Sequence, residues 1–158
     1  MAEIKETYTA KTYSEEAKAK LHALLEAQET KEAMKVLDEL DKTMATTAAP
    51  TTDMIKEYAR KAIGWGNYLR KKHAKLSAAA TNEKGNRYME IKMECLENKV
   101  TFADGAAKSE AEAFIAPLRT VRDIFGAYVI SADSIISVCR MHIQKQQDER
   151  EHEVDVHG

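Results

Sequence analysis

The apolar positions between Leu118 and Ile143 organise the rest of the chain. Leu118, Val121, Phe125, Tyr128, Ala132, Ile135, Cys139 and His142 alternate three and four residues apart, the seam of a heptad helix. A second apolar row, Val129, Ile136 and Ile143, runs beside the seam and widens the face beyond a two-stranded stripe. Between Asp123 and Arg140 the only charge is Asp133, and Gly126, Ala127, Ser131, Ser134 and Ser137 are small enough to admit another backbone. This pattern predicts the central helix of an all-α domain, covered on more than one side.

Upstream, Ala17, Leu21, Leu24 and Leu25 form one stripe, with Thr12 and Ser14 offering N-cap oxygens before it. Ala33, Val36, Leu37, Leu40 and Met44 form another. At about 100° per residue the two stripes differ in phase by roughly 145°, so one straight helix cannot bury both. A break near Gln28–Thr30, with Thr30 as the new N-cap, turns them into a short helical hairpin. The small, uncharged run from Ala45 to Thr52 contains Pro50 and reads as a flexible linker.

A long helix follows from Asp53, with Ile55, Tyr58, Ala62, Trp65, Leu69, Leu76 and Ala79 in one register. Beyond Gly85 the apolar set Tyr88, Ile91 and Cys95 is rotated, yet a nearly continuous helix is expected, since glycine costs only about 1 kcal/mol there. Thr101 and Asp104 have the spacing of an N-cap and its partner, and Pro117 restarts the helix after Ala116. The expected organisation has four parts. Residues 1–44 hold an arm and the short hairpin, and 45–52 the linker. Residues 53–147 form a long antiparallel, coiled-coil-like helical hairpin, and 148–158 a disordered acidic tail.

Composition sharpens this picture. With 2 Pro, 6 Gly and 32% charged residues in 158, the chain suits one helical domain, and its formal net charge of -2 disfavours a general nucleic-acid coat. Cys95 and Cys139 are too few for a disulfide framework or a zinc site and read as reduced core thiols. The first residues lack an apolar leader segment, and Ile124–Cys139 is short of the roughly 20 apolar residues a span needs. A cytoplasmic protein is expected, with no membrane partner.

Candidate chemistry is sparse. Arg60, Gly64, Asn67, Lys71 and Lys75 share one side of the long helix, with Lys56, Lys61, Arg70 and Lys72 flanking and Trp65 and Tyr68 close by. Cation beside aromatic is the combination that holds a base and its phosphate. The bland alternative is a solvated face whose rings belong to the core. Arg119 and Arg122, contributed by a neighbouring chain, would close such a pocket. A site of this kind serves either a small anionic nucleotide, sequestered as by a sponge, or nucleic acid, which the net charge disfavours. Glu149 and His152 form a single Glu-x-x-His, and helical di-metal sites need two, so no metal is expected. Nucleophile-elbow, P-loop and zincin motifs are absent, and Cys139 beside His142 falls on the apolar seam, so neither an enzyme nor a cofactor is expected. The wide face of the central helix instead predicts a homo-oligomer joined through Val121, Phe125, Tyr128, Val129, Ile135, Ile136 and Ile143.

Between Tyr88 and Gln147 the chain resembles small helical-hairpin proteins encoded by tailed phages and related mobile elements. The resemblance lies in Tyr88-Met89-Glu90-Ile91-Lys92, in the run from Thr101 to Glu112, and in a closing helix ending near Cys139-Arg140-Met141-His142-Ile143. It covers less than half of the chain. It implies a virion or replication accessory, or a small protein aimed at host defence in the host cytoplasm, and it transfers no catalytic residue.

Overall fold

The computed structural model describes residues 8–157, and side chains as far as 153. It is all-α, as the periodicity predicts, with no strand among the described residues. Its helices are α1 (Glu15–Glu26), α2 (Gln28–Thr46), α3 (Thr52–Glu97), α4 (Asp104–Phe114) and α5 (Ala116–His157), and the two long ones, α3 and α5, pack closely. The chain divides into two compact units, and α3 and α5 each contribute to both.

One unit comprises residues 26–72 and 124–157. Ala33, Leu37 and Leu40 of α2, Ile55, Ala62 and Leu69 of α3, and Phe125, Ala132, Ile135 and Cys139 of α5 are all buried in it. The seven-residue repeats Ile55–Ala62–Leu69 and Phe125–Ala132–Cys139 explain the close pairing of these segments. Ala132 and Gly66 set how closely. A β-carbon built on Gly66 would stand 2.8 Å from that of Ala132, so a side chain there forces the helices apart.

In this unit α2 covers its own chain. The hydroxyls of Thr30 and Tyr68 hydrogen-bond at 3.2 Å, the Tyr128 hydroxyl donates to Asp38 at 3.0 Å, and the Cys139 thiol reaches Met44 at 4.0 Å. Thr30 is therefore a buried residue of α2 and not its N-cap, a position taken by Ala27 without a side-chain bond. The connection expected to be a flexible linker is short and tied down. Gln146 of α5 donates to the Pro50 carbonyl at 3.2 Å and accepts from the Thr52 hydroxyl at 2.7 Å. Over the acidic residues from 148, expected to be disordered, α5 is helical as far as His157. Strong helix formers and the pairs Gln144–Asp148 (2.9 Å) and Lys145–Glu149 (3.9 Å) favour extension.

The other unit comprises residues 8–25 and 73–123. Ser14 caps α1 by accepting the Ala17 amide at 3.1 Å, and α1 leaves Leu21, Leu24 and Leu25 only half-buried. The core draws on Leu76, Ala80, Ile91 and Cys95 of α3, Ala107 and Ala111 of α4, and Ile115, Leu118 and Val121. Helix α3 runs unbroken through Gly85. It ends in a Schellman motif, with Val100 N bonded to Cys95 O (3.0 Å), Lys99 N to Leu96 O (3.2 Å), and Lys99 left-handed at φ 54°. Ala103, not Thr101, caps α4, again without a side-chain bond.

Candidate functional site

The basic and aromatic residues near the start of α3 form a shallow concavity of about 400 Å³, lined by Arg60, Lys61, Gly64, Trp65 and Tyr68. Trp65 and Tyr68 meet edge to face at 6.1 Å, and Lys72 sits 5.4 Å from the Tyr68 centroid, within cation–π range. Both rings are half-buried, and Thr30 holds the Tyr68 hydroxyl. Lys61 pairs with Glu57 at 2.9 Å, which holds that carboxyl below its ordinary value. Asn67 accepts from Arg70, which also pairs with Asp133 at 2.6 Å, so Asp133 is engaged within the chain. Lys71 and Lys75 are exposed and, among the described residues, enter no ion pair. Lys75 belongs to the other unit, as do Arg119 and Arg122. The two glycines part ways: Gly66 serves the contact with Ala132, while Gly64 faces open space.

Arg119 and Arg122 line a different cavity, of about 300 Å³, with Lys84 and Glu112. Glu112 accepts from Lys84 on one oxygen and from Arg119 on the other (2.8 Å). These bonds, Lys84 first, hold the Glu112 carboxyl below its ordinary value against the opposing effect of burial. Arg122 pairs with its neighbour Asp123. Lys84 and Glu112 are not singled out by helical spacing, since Lys84, Glu112 and Arg119 come from three helices, α3, α4 and α5.

Of the residues expected to join copies, Val121, Phe125 and Ile135 are buried within their own chain, Phe125 completely. Tyr128, Val129, Ile136 and Ile143 are half-buried. The exposed apolar excess lies elsewhere. Ile130 and Met141 stand out on α5, and Met89, Met93 and Leu96 form a row at the end of α3, with exposures of 52%, 51% and 63%. By length and composition α5 could cross a membrane, since an 18-residue window has mean hydropathy 1.4, but a core helix of a soluble protein passes the same test.

Arg87 is a further site that the sequence reading overlooks. It is 1% exposed and bridges Glu90 (3.1 Å), Glu94 (3.4 Å) and Glu110 (3.6 Å). A second nitrogen donates to the Thr9 carbonyl at 2.5 Å, while Nε is buried without a partner. Around it Glu94 accepts the Thr9 amide, and Glu110 the Lys11 amide, so the guanidinium holds residues 9–11 against α3 and α4. The signal was present: Arg87 shares the face of Ile91 and Cys95, with acids three and seven residues on.

Compared with protein-family models, with curated proteins and with solved structures, the chain matches none of them.

Proposed function

We propose that the chain is a non-enzymatic helical interaction protein that associates with itself through the last turns of α3. The exposed row Met89, Met93 and Leu96 supports this reading. Together with Asn82 and Asn86 it follows a heptad register, Asn82, Met89 and Leu96 at d and Asn86 and Met93 at a, all exposed. The opposite side of the helix, with Arg87, Ile91 and Cys95, is spent on the unit's own core. Flanking charge selects the arrangement. Lys92 falls at g and Glu97 at e, so a parallel pair sets Lys92 against Glu97 of the second copy, whereas an antiparallel pair sets like charges together. Asparagine at a single a position favours two strands in register.

A seam of about two heptads supports only weak pairing, on the order of micromolar. Light scattering across that range should show a dimer that Met93→Glu dissolves. Met93→Cys should oxidise to a disulfide-linked dimer, because equivalent a positions face each other only in a parallel pair. A monomer at every concentration, or no cross-link from Met93→Cys, would refute the proposal. A cytoplasmic location belongs to the same reading, and the phage-type setting rests on the resemblance of Tyr88–Gln147. The nucleotide-sponge alternative draws on the concavity at Trp65. Stabilisation by a mononucleotide or cyclic dinucleotide that Trp65→Ala abolishes would favour it.

A further inference from the structure

The cavity at Arg119 and Arg122 carries a separate inference, independent of how copies associate. In its lining three cations, Lys84, Arg119 and Arg122, face a single carboxylate, Glu112, over the apolar side chains of Ala80 and Ile115. Asp123, which holds Arg122, does not line it. An adjoining lobe of about 650 Å³ shares Thr81, Lys84 and Glu112 and continues over Gly85, Tyr88 and Ala111. Both volumes lie in the range of small-molecule sites, roughly 300–1,000 Å³. With Asp123 on Arg122 counted, three cations face two carboxylates and the first lobe keeps one net positive charge, while the second, though Lys108 and Ser109 also line it, is mainly apolar, so the groove is polarised end to end.

Glu112 shows what the cationic lobe recognises. Its two oxygens are each taken by a different cation, Lys84 and Arg119, as the oxygens of a bound oxyanion would be. We propose that this groove binds a small phosphate monoester. The phosphate is held by Arg119, Arg122 and Lys84, and its apolar or aromatic group lies along Tyr88 and Ala111. A phosphate dianion matches the excess of cations better than a carboxylate, and two guanidinium forks suit its oxygens. Glu112 then competes with the ligand for Lys84 and Arg119.

This competition makes the proposal testable with the full chain and phenyl phosphate as probe, followed by calorimetry or amide chemical shifts. Saturable binding is expected, with inorganic phosphate weaker and phenol silent. Arg122→Gln should weaken binding on the order of tenfold, as the loss of a charge-assisted contact does. Glu112→Gln should strengthen it by releasing two cations, an effect that a purely structural role would not produce. Lys20→Gln, which removes an exposed cation outside the groove, should leave it unchanged. Arg122→Lys, which keeps the charge without the fork, should fall between wild type and Arg122→Gln, and it serves if the latter fails to fold. Absent binding at millimolar phenyl phosphate, equal losses in Arg122→Gln and Lys20→Gln, or weaker binding in Glu112→Gln would overturn the proposal.

Discussion

Replacing Arg87 by methionine keeps most of the side-chain volume and removes the charge and every donor. The wild-type guanidinium, 1% exposed, meets three carboxylates and the Thr9 carbonyl. After the substitution Glu90 is half-exposed and keeps Lys11 at 3.0 Å, so it loses little. Glu94 and Glu110 are 25% and 17% exposed and each keep a single backbone amide. Removing one partner of a buried ion pair typically costs about 3–5 kcal/mol. The surviving amide bonds place Arg87→Met near the lower end, about 3 kcal/mol, far above the roughly 0.5 kcal/mol of an exposed pair such as Lys20–Glu16. Urea unfolding followed by circular dichroism measures the loss, and amide exchange at Thr9 and Lys11 localises it to the arm. The triple variant Arg87→Met, Glu94→Gln, Glu110→Gln should recover much of the stability, since the penalty is the uncompensated charge. An unchanged urea midpoint in Arg87→Met, or no recovery in the triple variant, would refute the reasoning.

Two further outcomes follow from the packing and the charges. Gly66→Ala should destabilise by about 1–3 kcal/mol, because the new β-carbon meets Ala132 at 2.8 Å, while Gly64→Ala, in open space, should be neutral or slightly stabilising; thermal unfolding of the pair checks the contrast. Acid should loosen the arm: Lys11, then Arg87, hold the Glu90 carboxyl below its ordinary value. The stability this supplies is complete above the usual glutamate pKa and is lost as the pH falls through the lowered one. Burial raises the Glu83 carboxyl, which has the opposite sign and costs stability as the pH rises. The protection factors of the residue 9–11 amides, which correct for the intrinsic exchange rate at each pH, should therefore fall toward low pH, and Lys11→Met should remove part of that dependence.

What could be read in the sequence is what a single helix imposes on its own residues. The repeat Leu118–Phe125–Ala132–Cys139 is an intrahelical spacing, and each of these positions is buried. The phase slip between Leu25 and Ala33 located a break, which falls at Ala27. Partnership was harder. Nothing in the spacing of Thr30 says that its hydroxyl meets Tyr68, far away in sequence, so it passed for a cap. The linker looked mobile because its stiffness comes from Gln146, on another helix. Arg87 was legible in part, through Glu90 and Glu94 three and seven residues on, but Glu110 of α4 and the backbone of the arm reach it only in the fold. In the candidate sites, spacing found Arg60, Lys61, Trp65 and Tyr68 together, because they share one helix, but it could not pair Arg119 with Lys84.

The position of the apolar excess decides which part of α3 or α5 is available to another molecule. The sequence places that excess on α5, whose second row, Val129, Ile136 and Ile143, looks too wide for one neighbour. Helices α2 and α3 both contribute to the same unit as that row, and its members end half-buried, with Phe125 and Ile135 fully enclosed beside them. Helix α3 presents the reverse case. Its apolar residues beyond Gly85 fall in two sets, Ile91 and Cys95 facing inward, Met89, Met93 and Leu96 facing out. A single core needs only the first. The second costs solubility in an isolated chain, and in the proposed pairing the lysine and glutamate at its edges select one register. In the dimer we propose, a helix with two apolar faces and a charge-marked boundary between them is covered twice, once by its own chain and once by the second copy.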